Sequence, residues 1–61
     1  MKRRELIRHL INEGCLLVRE GSRHSWWINP ARNRRSAIPR HTEILDILVK
    51  KICRDLDVRE P

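Results

Sequence analysis

A histidine follows a Gly-Ser-Arg turn and directly precedes an apolar run that holds both tryptophans of the chain. In the sequence REGSRHSWWINP, residues 19–30, the histidine is His24 and the turn is formed by Gly21, Ser22 and Arg23. An imidazole has an ordinary pKa of about 6.5 and therefore accepts a proton near neutral pH. Arginine binds phosphate through its planar guanidinium and can stabilise negative charge that develops on phosphoryl oxygens. His24 is therefore either a general base beside arginines that can bind an anion or an ordinary residue that opens a strand, and these residues alone leave both interpretations open.

The other histidines and the cysteines are weaker candidates for chemistry. His41 follows Arg40 and is either a second acid or base or a residue that packs at the entry of the last helix. His9, on the charged side of the first predicted helix, is expected in solvent. Cys15 and Cys53 lack the local ligand spacing of a zinc site and are expected to be small core residues with reduced thiols. No metal and no cofactor is expected.

The charge of the chain indicates an anionic partner. Its 61 residues contain 14 Lys and Arg against 8 Asp and Glu, which gives a net charge of +6, and most of the cations are arginines. Such a surface is typical of a nucleic-acid-binding protein or of one with an acidic protein partner. The alternative for each basic cluster is a merely solvated charged surface. Contacts with RNA are expected from the turn and from five further basic segments: Arg23, Arg19, Lys2, Arg3, Arg4, Arg40, Lys50, Lys51 and the loop arginines Arg32, Arg34 and Arg35.

The pattern of apolar residues predicts the elements that position these side chains. Helical periodicity covers Lys2–Asn12 and Glu43–Leu56, with Thr42 as the expected N-cap of the second helix and a frayed tail after it. Short β-type runs cover 15–20, 24–29 and 35–39. We therefore expect an α+β fold of order α-β-β-β-α, in which two helices cover one face of a three-stranded antiparallel sheet and residues 1–61 form a single domain. The order is that of the double-stranded RNA-binding domain.

The two tryptophans must lie on opposite faces of the second strand. Side chains alternate along a strand, so Trp26 shares a face with His24, whereas Trp27 shares the other with Ser25. One tryptophan fills the core and the other is presented on the open face, where it either stacks on an RNA base or anchors a protein partner. The sequence does not decide which is which.

Four motifs resemble those of HicA-type (YcfA-like) toxins, the ribonuclease half of type II toxin–antitoxin pairs. They are the basic opening helix MKRRELIRHLINEGC, the hairpin REGSRH, the segment IPRH and the closing helix EILDILVKKICRDL, which together cover nearly the whole chain. In the commonest form of the hairpin the histidine directly follows the small residue. Here Arg23 intervenes, which is similar to a subgroup with one extra residue.

The resemblance implies a fold like the double-stranded RNA-binding domain and metal-independent cleavage of mRNA, which inhibits translation. It implies that His24 is the single catalytic histidine, that Gly21 and Ser22 form the turn that positions it, and that a HicB-like antitoxin covers the site. No apolar run is long enough to span a membrane, so we expect a cytoplasmic protein. The alternatives are a non-catalytic RNA-binding module of the same fold and a small protein whose basic face docks an acidic partner.

Overall fold

Two helices and a three-stranded antiparallel sheet make up the computed structural model, which describes all 61 residues. The elements follow in the order α1 (Arg3–Asn12), β1 (Leu16–Glu20), β2 (His24–Asn29), β3 (Arg34–Pro39) and α2 (Asp46–Leu56). The strand order in the sheet is β1-β2-β3, and both neighbouring pairs are antiparallel. The predicted α-β-β-β-α fold is confirmed, and each strand begins and ends within one residue of its predicted bounds.

The hydrophobic core lies between the helices and one face of the sheet. Leu6 and Leu10 are four residues apart on α1 and are both fully buried, because that spacing puts them on the same side of a helix. Trp27 is the tryptophan that faces this core, and the two cysteines are buried in it as expected. The core has ten members: Leu6, Leu10, Cys15, Trp27, Ile38, Ile44, Val49, Ile52, Cys53 and Leu56.

The second face of the sheet is open. His24 and Trp26 are exposed on β2, and they alternate with buried side chains that point toward the helices. Every residue of β1 is exposed, because α2 packs against β3 at the opposite edge of the sheet. Neither helix combines the length and the apolar composition that crossing a bilayer requires.

The prediction that α2 begins at Glu43 with Thr42 as its N-cap is wrong. The helix begins at Asp46, and residues 42–44 are instead paired with the first residues of the chain. The amide of Arg3 donates to the carbonyl of Thr42 at 2.8 Å, and the amide of Ile44 donates to the carbonyl of Met1 at the same distance. Ile44 stands at a position where the apolar stripe of a helix would place a core residue, and its side chain is buried in the core. Its backbone, however, is not helical.

Two further expectations are wrong, namely that the tail after α2 is frayed and that His9 lies free in solvent. The Nε2 atom of His9 lies 2.6 Å from the carbonyl oxygen of Arg59, and Nε of Arg59 donates to Glu13 at 3.1 Å. Val58 packs against the core. The tail is therefore attached to α1 rather than frayed, and His9 is partly buried by it rather than free in solvent.

Candidate active site

His24 is the first residue of β2 and projects from the open face beside the hairpin turn. It is exposed, and its cross-strand neighbour on β3 is Pro39. The amide of Arg40 donates to the carbonyl of Arg23 at 3.2 Å, so the start of β2 and the end of β3 are held together. The imidazole is therefore attached to a fixed backbone and remains accessible.

Position 21 requires a glycine, because the backbone of His24 approaches it closely. Its amide donates to the carbonyl oxygen of His24 at 2.8 Å, which closes the turn. A Cβ added at Gly21 would lie 2.9 Å from that same oxygen, closer than such atoms ordinarily come. Any side chain here would push away the strand end that carries the histidine. Ser22, next in the turn, is exposed.

A cleft of about 380 Å³ surrounds His24, and no apolar side chain other than Pro39 lines it. Two imidazoles, His24 and His41, and two guanidiniums, Arg23 and Arg40, share this space with Ser22. Imidazoles can transfer protons, and guanidiniums can bind an anion whose charge increases during a reaction. The cleft thus combines side chains that can transfer a proton with side chains that can bind an anion.

A hydrogen-bonded network behind the cleft holds the strand ends that form it. Arg3 donates through Nε to the carbonyl of Pro39 at 2.9 Å and through Nη2 to Oγ of Ser25 at 2.7 Å. Ser25 is buried and in turn donates to the carboxylate of Glu20. Since Ser25 follows His24 directly, this network fixes α1, β1 and β3 around the residue next to the histidine.

Glu20 connects the same network to the cleft. Its second carboxylate oxygen accepts a hydrogen bond from Arg40 at 2.9 Å. The hydrogen bond from Ser25 and, to a smaller extent, the charge of Arg40 lower the pKa of the Glu20 carboxyl. Arg40 is therefore held by an ionised partner close to His24. Sequence reasoning missed Glu20 and Ser25, because no pattern in the sequence links their side chains.

The structure brings together four of the predicted RNA-contacting residues. Lys2, Arg3 and Arg4 from the start of α1 line a second hollow, of about 330 Å³, together with Arg40 and Thr42. Arg40 also lines the cleft of His24, so the two basic hollows are neighbours on either side of this residue.

Other predicted cations lie away from the cleft. Lys50 and Lys51 are on α2, neither lines the cleft, and Lys51 is paired with Asp55 at 2.8 Å. In the loop and β3, Arg32 is paired with Asp57 at 3.4 Å, and Arg34 donates to the Asp55 carbonyl at 3.0 Å. Arg34 thus joins β3 to α2, and Arg32 joins the loop between β2 and β3 to the residue that follows α2.

Arg19 is exposed on the open face because of an irregularity in β1. The pairing with β2 shifts between Leu17 and Arg19, so that Arg19 lies opposite Trp26 and Glu20 lies opposite Ser25. Such a bulge reverses the faces of the residues that follow it. It places the guanidinium on the same side as His24 and the carboxylate of Glu20 on the side of the helices.

The thiols are remote from this chemistry. Cys15 and Cys53 are free and buried, and burial raises the pKa of both. Histidine, cysteine and carboxylate side chains do not come together in a group of three or more that could hold a metal ion.

A comparison with protein families gives one match. A family model described as "HicA toxin of bacterial toxin-antitoxin" matches residues 3–58. Comparisons with curated proteins and with solved structures gave no match. The matched range contains both helices, all three strands and every residue of the cleft around His24.

Proposed function

Because the chain belongs to the HicA toxin family of bacterial toxin–antitoxin systems, we propose that it is a metal-independent endoribonuclease that cleaves mRNA with a single catalytic histidine, His24. Cleavage of mRNA inhibits translation, which accounts for toxicity. The observation that carries the proposal is the accessible imidazole of His24 in a cleft whose other charged groups are guanidiniums.

In the proposed reaction, RNA supplies its own nucleophile. The imidazole of His24 takes the proton of a ribose 2′-hydroxyl, and the 2′-oxygen attacks the adjacent phosphorus. The bond from phosphorus to the 5′-oxygen breaks, and that oxygen takes a proton from a water molecule. The hydroxide that remains takes the proton from the His24 imidazolium, which restores the neutral imidazole and the water. The products are a 2′,3′-cyclic phosphate and a 5′-hydroxyl, so atoms and charges balance without a cofactor.

The guanidiniums of Arg23 and Arg40 would stabilise the charge on the phosphoryl oxygens. Stabilisation by fixed donors is effective because they need not reorganise during the reaction. Arg40 meets this condition through its contact with Glu20. Lys2, Arg3 and Arg4 would bind the neighbouring backbone phosphates, while Lys50 and Lys51 would add a weaker and more distant attraction.

Family membership also implies a cognate antitoxin, and we propose that it resembles HicB and covers the cleft of His24. Carboxylates on the antitoxin would complement the net charge of +6 and accelerate association. Toxin and antitoxin would meet in the cytoplasm, where mRNA is translated.

The test is cleavage of a long single-stranded transcript by the purified protein in the presence of EDTA. We expect His24→Ala to reduce the rate by roughly 10²–10⁴-fold, the usual contribution of general base catalysis, while RNA binding is retained. His9→Ala removes an imidazole outside the cleft and is the matched control. His41→Ala should lose less than about tenfold, because the proposal assigns the proton transfer to His24 alone.

Three results would contradict the proposal. Undiminished cleavage by His24→Ala would remove its catalytic residue, and a large loss in His41→Ala would require a second catalytic imidazole. An intact protein that binds transcripts without cleaving them would instead be the non-catalytic RNA-binding module.

A further inference from the structure

We propose that Trp26, Arg19 and Arg35 form a binding site for the nucleobase next to the scissile phosphate of single-stranded RNA. The inference rests on the function proposed above and adds the part of the substrate that the open face of the sheet would hold. It places RNA on the strands, in addition to the basic start of α1.

Trp26 is the exposed aromatic side chain at the centre of this face. It retains 41% of its accessible surface, although it belongs to the middle strand of the sheet. Its cross-strand neighbours are Arg19 on β1 and Ala37 on β3, and the short side chain of Ala37 cannot cover the indole. A hollow of about 280 Å³ is lined here by Val18, Arg19, Trp26, Trp27 and Arg35.

The charge around Trp26 is entirely positive. The strand pairing assigns eight residues to the open face, and none is acidic: Leu16, Arg19, His24, Trp26, Ile28, Arg35, Ala37 and Pro39. Arg19 and Arg35 make no ion pair, whereas Arg32, Arg40 and Arg59 are each paired with a carboxylate. Two free guanidiniums beside an exposed indole favour a ligand that has both a flat ring and negative charge.

A nucleotide has both features. Bases stack on aromatic side chains whatever their sequence, and arginine both binds phosphate and stacks on bases. His24 and Trp26 lie on the same face two residues apart, which corresponds to about 7 Å along a strand. That distance is comparable with the length of one nucleotide in an extended chain. A base on Trp26 would thus bring the adjoining phosphate to His24.

This continuity with His24 is the reason to prefer RNA to an acidic protein as the occupant. An acidic protein would satisfy Arg19 and Arg35, but it would not require an aromatic ring at one nucleotide's distance from a catalytic imidazole. The test below separates the two occupants.

The experiment measures binding of the full chain to two ligands that it cannot cleave through a 2′-hydroxyl. One is a 2′-O-methyl oligoribonucleotide, and the other is an abasic 2′-O-methyl oligonucleotide of the same length. We expect Trp26→Ala to weaken binding of the first by roughly 10- to 100-fold, the range for the loss of one base–aromatic stack. Binding of the abasic ligand should not change, and Trp26→Phe should retain most of the affinity.

Ile47→Ala is the matched control, because Ile47 is an apolar side chain on α2 with 76% of its surface exposed. It should bind both ligands as the wild type does. Unchanged binding of the base-containing ligand by Trp26→Ala would overturn the proposal and would leave an acidic protein as the alternative occupant of this face. An equal loss for both ligands would also overturn it, since no base would then be recognised.

These results are distinguishable from failure of the nuclease function. If Trp26 is required for binding but transcripts remain intact, the base site stands and the catalytic proposal fails. If Trp26→Ala cleaves transcripts at the wild-type rate and binds the base-containing ligand with the wild-type affinity, the nuclease proposal stands and the base site fails.

Discussion

The two faces of β2 differ in what their side chains can do. Trp27 and Ser25 point toward the helices and are almost fully buried, whereas Trp26 and His24 point away and are exposed. Adjacent residues of one strand thus contribute either to the core or to the candidate site. In a chain of 61 residues no separate layer is available for function, so one face stabilises the fold and the other is free to bind.

The tryptophan pair provides the strongest test of this division. Trp27→Ala should cost about 3–5 kcal/mol, the usual penalty for truncating a buried aromatic residue. Trp26→Ala should change stability by less than about 1 kcal/mol, because much of its ring is already in contact with water. Unfolding in urea measures both.

The expected loss in Trp27→Ala is comparable with the whole stability of such a domain, at roughly 0.05–0.15 kcal/mol per residue. Trp27→Phe is therefore included as a milder truncation that should remain folded, because it leaves a smaller cavity and removes an indole N–H that is buried without a hydrogen-bond partner. Equal losses at the two positions would mean that the faces do not differ in their contribution to folding.

The two glycines provide the next comparison. In Gly21→Ala the new Cβ would meet the His24 carbonyl oxygen at 2.9 Å, so the hairpin must shift. Since a displacement of about 1 Å can cost 10²-fold in rate, we expect a loss of cleavage of that order. The fold should lose only about 1–2 kcal/mol. Cleavage assays and urea unfolding on the same preparations give the two values.

Gly14→Ala is the matched control. Gly14 has φ +93°, where a side chain is strained, but no atom lies within 4 Å of an added Cβ. It should lose about 1 kcal/mol of stability, while the folded protein cleaves normally. If both variants lose stability and cleavage in the same proportion, the turn at Gly21 has no special role in positioning His24.

The sequence was sufficient for the order of the elements, since short β-type runs separated by turn residues predict the strands and a regular apolar stripe predicts each helix. It was insufficient where distant segments meet. Ile44 matches the helical phase, yet its backbone pairs with Met1 at the other end of the chain. A hairpin read without an irregularity would place Arg19 opposite Ser25, but the bulge exchanges the faces of Arg19 and Glu20. A one-residue shift in pairing has no signal in the pattern of residue types.

The smallest expected effect on stability is that of a substitution at Glu20. This residue lies where the two faces of the sheet meet, since its carboxylate binds Ser25 on the covered side and Arg40 at the cleft. These contacts lower its pKa, so the folded protein holds the proton less tightly than the unfolded chain. The resulting stability is present above the ordinary pKa of a glutamate and is lost as the pH falls through the lowered value. Glu20→Gln should therefore be less stable than the wild type at neutral pH and equal to it in acid.

Urea unfolding of both proteins between neutral and acid pH measures this convergence. The other carboxyls with lowered pKa values, Glu43 and Asp55, are common to the two proteins and cancel in the difference. Glu60→Gln is the control, because it removes the same charge from a side chain that makes no ion pair and should follow the wild type at every pH. The difference in stability between Glu20→Gln and the wild type could instead stay the same at every pH. In that case the hydrogen-bond geometry of Glu20, and not its charge, joins the core to the cleft.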